Sequence, residues 1–392
     1  MDKKVPEIRF EGFVDDWEQR KLGEVASVYD GTHQTPNYVD KGVMFLSVED
    51  ISTLKSEKFI SEAVFLEEFK VSPERGDILM TRIGNIGTTN VVRANEKLAY
   101  YVSLALLKTK DSDSDFLSTL MQTPTVQKEI WERTLHVAFP KKINKSEIEK
   151  VLLHAPNKSE QAAIGNFFHT LDDTIALHQE KLEALKRMKT AYLDKIFSQE
   201  IRFSGFGETW EQRKLGEVVQ GYNKIVKGNE YPIASSSRKG LYLQTDYFNG
   251  ERSGIDESLD FHLVPQGYVT YRHMSDDSTF HFNRNSMNTP VLVSKEYPVF
   301  TNKDDNNLDF ILYHLNSTAR FASFSHMQKK GGTRVRLYFK MLETYKLYMP
   351  ASAEQKKVGA ILKQWENTIA LHHQKIDSLH KLKCAYLQKM FL

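Results

Sequence analysis

Between residues 160 and 197, apolar side chains return at alternating steps of three and four: Ile164, Phe168, Leu171, Ile175, Leu182, Leu185, Tyr192 and Ile196. A seam of period 3.5 predicts a helix packed along another helix. No proline interrupts it, and at 1.5 Å per residue such a helix is roughly 55–60 Å long. The pattern comes round again from Glu354, as Val358, Leu362, Trp365, Ile369, Ile376, Leu379, Tyr386 and Met390. Even the interruptions match, with His178 and His372 at one seam position and Lys189 and Lys383 at another. Two matching seams in one chain predict a two-stranded intramolecular coiled coil. The chain between them is long enough for either direction.

The duplication extends beyond the helices. Residues 8–25 read IRFEGFVDDWEQRKLGEV and residues 201–218 read IRFSGFGETWEQRKLGEV. The repeated unit is a leader, a globular stretch and a long helix. The two middles are of similar length with little evident similarity, so the frame is duplicated while the middles have diverged. The first middle has strand-like runs at 43–47, 78–81, 89–93 and 100–108, then helix-like runs at 116–121 and 126–133. The second has strands near 268–272, 290–294 and 298–300 and a helix over 308–316. Both middles read as α+β. The expected organisation is a leader (1–25), a first globular domain (26–156), a central helix (157–200), a repeated leader (201–218), a second domain (219–350) and a last helix (351–392).

Composition narrows the class. A chain of 392 residues with 40% hydrophobic and 11% aromatic content has enough apolar side chain for two cores. A net charge of +2 excludes a histone-like binder and leaves local patches open. The single cysteine, Cys384, suits a reducing compartment. The N-terminal stretch lacks an apolar signal core and no run approaches a membrane span, so a cytoplasmic protein is expected.

Catalytic motifs are missing. No Gly-Lys dipeptide occurs, which excludes a P-loop. Phe203-Ser204-Gly205-Phe206-Gly207 has the form of a methyl-donor loop, but a helix end precedes it and the duplicate, Phe10-Glu11-Gly12-Phe13-Val14, lacks the second glycine. His178 and His372 have no further ligand-type residue four positions away on either side, so they read as polar seam residues that fix register rather than as metal ligands. No catalytic residue and no metal ligand is expected.

Basic surfaces remain. Residues 327–342, MQKKGGTRVRLYFKML, carry Lys329, Lys330, Arg334, Arg336 and Lys340 without an acidic residue. The counterpart, residues 135–146 (LHVAFPKKINKS), carries Lys141, Lys142 and Lys145. Cations beside short polar residues let the backbone approach a phosphate run. Arg82, with Asn85 just after it, and Arg272, with His273, follow strand ends where they reach a base edge or a phosphate. The polar loops containing Thr32, His33 and Gln34, and Ser236, Arg238 and Lys239, complete the expected DNA-binding set.

The duplicated frame resembles the specificity subunit of type I restriction-modification enzymes. The resemblance covers the whole chain. It is carried by the two WEQRKLGEV leaders, by the Gly-Asp-Ile-Leu-x-x-Arg-x-Gly stretch at 76–84, and by the Pro…Glu-Gln helix starts at Pro156/Gln161 and Pro350/Gln355. The second copy departs at Gly267-Tyr268-Val269-Thr270.

The resemblance implies two target-recognition domains, each reading half of a bipartite DNA sequence, separated by a long antiparallel two-helix coiled coil. Leu171, Ile175, His178, Leu182, Leu185 and Tyr192 of one helix, with Trp365, Ile369, His372, Ile376, Leu379 and Tyr386 of the other, would form the seam. It implies no catalysis on this chain. S-adenosylmethionine would bind two modification (methyltransferase) subunits, and ATP with magnesium the restriction subunits. Two other classes fit the residues taken alone. They are a coiled-coil scaffold that never touches DNA and a tandem DNA-binding regulator; a self-contained methyltransferase has no motif to support it.

Overall fold

In the computed structural model, residues 5–247, 256, 258–329 and 334–392 are described. They fall into two compact units, residues 1–180 with 373–392, and residues 181–372. Two long helices, Lys158–Phe197 and Ser352–Lys389, contribute to both. Each unit therefore holds the start of one long helix and the end of the other.

In the first unit the apolar runs pair as expected for strands buried on both faces. Ala26–Asp30, Leu104–Thr109, Ile78–Thr81 and Thr89–Val91 form a four-stranded antiparallel sheet in that order. Val43–Leu46 pairs antiparallel with Phe59–Ile60 and parallel with Leu98–Tyr100 in a second sheet. The run 100–108 is thus two strands, split by a turn at residues 101–103. The helices Ser114–Met121 and Pro124–Glu132 start where Asp113 and Thr123 cap them, accepting from the amides of Phe116 and Val126. The leader's strand Glu18–Lys21 pairs antiparallel with Leu152–Ala155, just before the long helix.

The second unit repeats this frame under a different sequence. Val219–Tyr222, Val299–Asn302, Val269–Thr270 and Asn283–Arg284 form a four-stranded sheet in the corresponding order. Glu211–Lys214 pairs with Lys346–Met349 as the leader strand does in the first unit. Helices Leu308–Ser317 and Ala319–Met327 are capped by Asn307 and Thr318. The middles have lost sequence likeness but keep the order of the four-stranded sheet, while their three-stranded sheets differ. The second of these helices, and the hairpin Ala234–Ser237/Gly240–Leu243, were not legible in the chain.

The helix starts show why the frame keeps its residues. Gln161 accepts the Asp113 amide (3.1 Å) and donates to the Pro156 carbonyl (2.8 Å). Gln355 does the same with Asn307 and Pro350, both at 2.8 Å. Glycine is required one turn on, because a Cβ at Gly165 or Gly359 would lie 2.3 or 2.6 Å from the capping oxygen of Asp113 or Asn307. Glu160 is fully buried and clasped by the Arg9 guanidinium at 2.6 and 2.7 Å. Arg202 holds Glu354 in the same way, at 3.0 and 2.7 Å.

Within each unit the two helix segments run antiparallel. In the first, Asp172 pairs with Lys383 (2.6 Å), while Leu171 and Ile175 cluster with Leu379. Phe391 packs on Phe168, Trp17 and Phe116. In the second, Lys189 pairs with Glu366 (2.6 Å) and the rings of Tyr192 and Trp365 lie 5.1 Å apart. The two seam lysines thus make repeat-related ion pairs. Of the expected seam, Leu171, Ile175, Leu182, Ile376 and Leu379 are buried. His178, Leu185, Trp365, Ile369, His372 and Tyr386 are half-buried, and Tyr192 is exposed along one edge. Leu193 is buried in the second unit's core and was missed, because there the helix packs on a globular core rather than only on a partner helix.

Among the described residues no helix is long and apolar enough to cross a membrane, and no cluster of His, Cys, Asp and Glu could hold a metal ion.

Candidate nucleic-acid interface

The basic segments dock at the same place in both units. In the first, Lys142 bridges to Ile83, just past the strand Ile78–Thr81, and Gly84 donates to the Lys141 carbonyl (3.0 Å). In the second, Val335–Arg336 pairs with Met274–Ser275, just past Val269–Thr270. Each basic segment is therefore pinned by its backbone to the end of a core strand, with the side chains of Lys141, Lys142, Arg334 and Arg336 exposed and those of Ile143, Val335 and Leu337 buried. Lys141 and Lys142 are exposed, with the Lys141 ammonium 4.3 Å from the Trp131 ring centroid. Lys145 is half-buried near the Tyr29 ring (5.8 Å) and Glu149 (3.9 Å).

Arg82 is not available for a base or a phosphate. It is 7% exposed, paired with Asp30, and donates to the Ile143 carbonyl at 3.2 Å. Burial lowers its pKa, and the Asp30 carboxylate supplies the counter-charge that makes the site tolerable. Its equivalent in the second unit is His273 rather than Arg272. The Arg82 carbonyl accepts the Ile143 amide, and the His273 carbonyl accepts the Leu337 amide (2.8 Å). His273 is itself buried and stacked on Tyr338, with burial pushing its pKa down, so it carries no charge to a phosphate near neutral pH. Asn85, in the turn after Arg82, is exposed and donates to Thr88 (3.3 Å).

Arg272 is exposed, as are Lys329, Arg334 and Arg336; Lys330 lies outside the described residues. The second unit's cations are partly countered. Arg334 donates to Asp276 at 2.8 Å and Arg238 to Asp277. The Thr279 amide, with Ser275 and Arg238, holds the Asp277 carboxyl well below the usual carboxylate range, so it is ionised there. These two acids lie outside the basic run and were missed for that reason.

The remaining loop residues divide. Arg238 and Lys239 form the exposed tip of the Ala234–Ser237/Gly240–Leu243 hairpin. Ser236 is buried, accepting from Asn283 (2.8 Å), and belongs to the core rather than to a reading surface. In the first unit Thr32 is half-buried, donates to Glu68 (3.0 Å) and bridges Tyr101, whereas His33 and Gln34 beside it are exposed.

Comparison with known proteins is consistent with this geometry. A model of the type I restriction modification DNA specificity domain matches the chain twice, at residues 14–187 and 207–381. The chain is 22% identical over 422 residues to a putative type I restriction enzyme MjaX specificity subunit of Methanocaldococcus jannaschii, covering 94% of this chain and 91% of that one. Its fold is similar to that of a type I restriction-modification S subunit from M. genitalium, with a TM-score of 0.68 at 14% identity over 99% of both chains.

Proposed function

This chain belongs to the type I restriction modification DNA specificity family, and on that premise we propose that each unit reads one half of a split duplex sequence. As a specificity subunit it is the DNA-recognition component and not the catalytic one. The recognition domains would span 26–156 and 219–350, each resting on its leader. The helices at 157–200 and 351–392 would fix the number of unread base pairs between the half-sites.

The observation that carries this reading is the equivalent placement of the basic segments, Lys142 against Ile83 and Arg336 against Met274. The chain keeps the mount and varies the side chains it presents, as a pair of readers for two different half-sites requires. The exposed cations Lys141, Lys142, Arg272, Lys329, Arg334 and Arg336 would meet phosphates. His33, Gln34, Asn85, Arg238 and Lys239 lie in loops suited to base edges.

Partner docking follows from a second repeat. Leu177 in the first unit and Leu371 in the second occupy equivalent off-seam positions and are 65% and 64% exposed. One such apolar position in each unit fits two copies of one partner, here the modification subunits. Methyl transfer and its S-adenosylmethionine would reside on those subunits, and ATP with magnesium on restriction subunits, all in the cytoplasm.

Exchange of residues 26–156 for those of another family member tests the reading. One half of the methylated sequence should change and the other half should persist. A change in both halves would refute two independent readers.

A further inference from the structure

One segment of the first unit projects beyond the mount and the core. Residues 135–142 leave the core after the helix Pro124–Glu132 and return at Lys142, closed at the base by the Leu135 amide on the Lys142 carbonyl (2.8 Å). The base is clamped further, with the Trp131 and His136 rings 4.4 Å apart and Lys141 over the same indole. At the tip, Val137 and Phe139 are 99% and 103% exposed. A single exposed apolar side chain is ordinary. Two fully exposed ones on a loop with a clamped base, next to Lys141 and Lys142, need a partner that offers both an apolar slot and negative charge. Counted back from Arg336, the counterpart of Lys142, the second copy has Gly331 and Thr333 in the sequence positions of Val137 and Phe139.

We propose that residues 135–142 are a finger whose Phe139 ring enters a base step of duplex DNA, with Lys141 and Lys142 on the adjoining phosphates. Stacked bases supply the slot and the flanking phosphates supply the charge. An apolar wedge of this kind partly unstacks a step and kinks the duplex, which confers specificity through deformability at positions that make no hydrogen bond. The wedge belongs to one unit only, so the two half-sites are read differently. One is deformed and the other is not. This inference rests on the DNA-recognition reading above.

The test uses the full chain assembled with its modification subunits. The duplex carries the split methylated motif mapped in the host chromosome, with 2-aminopurine placed at each step in turn. The wild-type complex should show enhanced fluorescence at one step within one half-site only. Phe139→Ala, which leaves the packing of the unit intact because the ring is fully exposed, should abolish the enhancement and weaken binding about tenfold or more. Its salt dependence should be unchanged, and Phe139→Leu should retain part of both effects. Unchanged fluorescence and affinity in Phe139→Ala would overturn the wedge. So would loss of modification subunits from the Phe139→Ala complex, which would assign the ring to a protein partner. If the wild-type complex does not prefer the motif duplex, the recognition reading fails and the wedge with it.

Discussion

Replacing Lys141 and Lys142 together by alanine removes two exposed cations and the contact of Lys141 with the exposed Trp131 ring, while the backbone bridges to Ile83 and Leu135 still hold the segment. Each phosphate that is no longer neutralised lowers the slope of log affinity against log salt by about 0.9 in duplex DNA, so the pair should lower it by about 1.8. Between roughly 50 and 200 mM salt the variant's affinity should therefore fall about tenfold less than that of the parent complex. The second unit should respond unevenly. Arg336 pairs through its backbone alone in the strand next to Met274, so Arg336→Ala should lower the slope by about 0.9, the share of one phosphate. Arg334 is held at 2.8 Å by Asp276, and moving it to a phosphate uncovers a carboxylate near the duplex. Arg334→Ala should therefore lower the slope by less than Arg336→Ala, and Asp276→Asn should tighten binding. The assay is fluorescence anisotropy of a labelled duplex over a salt series, with the chain in complex with its modification subunits. A parent slope in the double lysine variant would remove that segment from the phosphate-binding surface.

Further expectations concern stability and assembly. Arg9→Ala leaves the fully buried Glu160 carboxylate uncompensated and should destabilise the first unit by about 3 kcal/mol or more. Arg202→Ala should harm the second unit less, because Trp210 also donates to Glu354 (3.2 Å), whereas Trp17 Nε1 has no partner among the described residues; equal shifts in denaturant midpoint would contradict this. Burial lowers the His314 pKa to about 3, and His273 and His281 shift in the same direction. Below about pH 6.5 the unfolded chain therefore binds protons that the fold refuses, and stability falls with pH. His314 alone should cost the second unit about 2 kcal/mol at pH 5, and a denaturant midpoint equal at pH 7 and pH 5 would refute it. Leu177→Glu with Leu371→Glu should block co-purification of the modification subunits while changing the unfolding free energy by no more than about 0.5 kcal/mol per site.

The long helices were legible because a 3.5-residue seam is a local pattern, and the duplicated leaders because they are nearly the same string. The shared sheet order of the two middles was not. A strand as short as Asn283–Arg284 leaves no periodicity to read, and the pairing of Val269–Thr270 depends on a partner some thirty residues away. The site divided along the same line. Lys141, Lys142 and Arg336 could be picked out as runs of charge. Arg82 and Ser236 carry the right chemistry for an interface and are spent inside the fold, because their partners Asp30 and Asn283 are distant in sequence. The alignment of Arg82 with Arg272 failed for a related reason, since carbonyl partnership rather than residue type marks His273 as the equivalent. Phe139 did leave a signal, an apolar pair within a basic run, and its full exposure became plain only in three dimensions.

The measurement that bears most directly on two-reader recognition is a genome-wide map of methylated bases in the source cell, with and without this gene. The two-reader proposal predicts the loss of one motif made of two short half-sites around a fixed unread gap, with every other methylated motif intact. An unchanged map in cells that retain the modification subunits would contradict them.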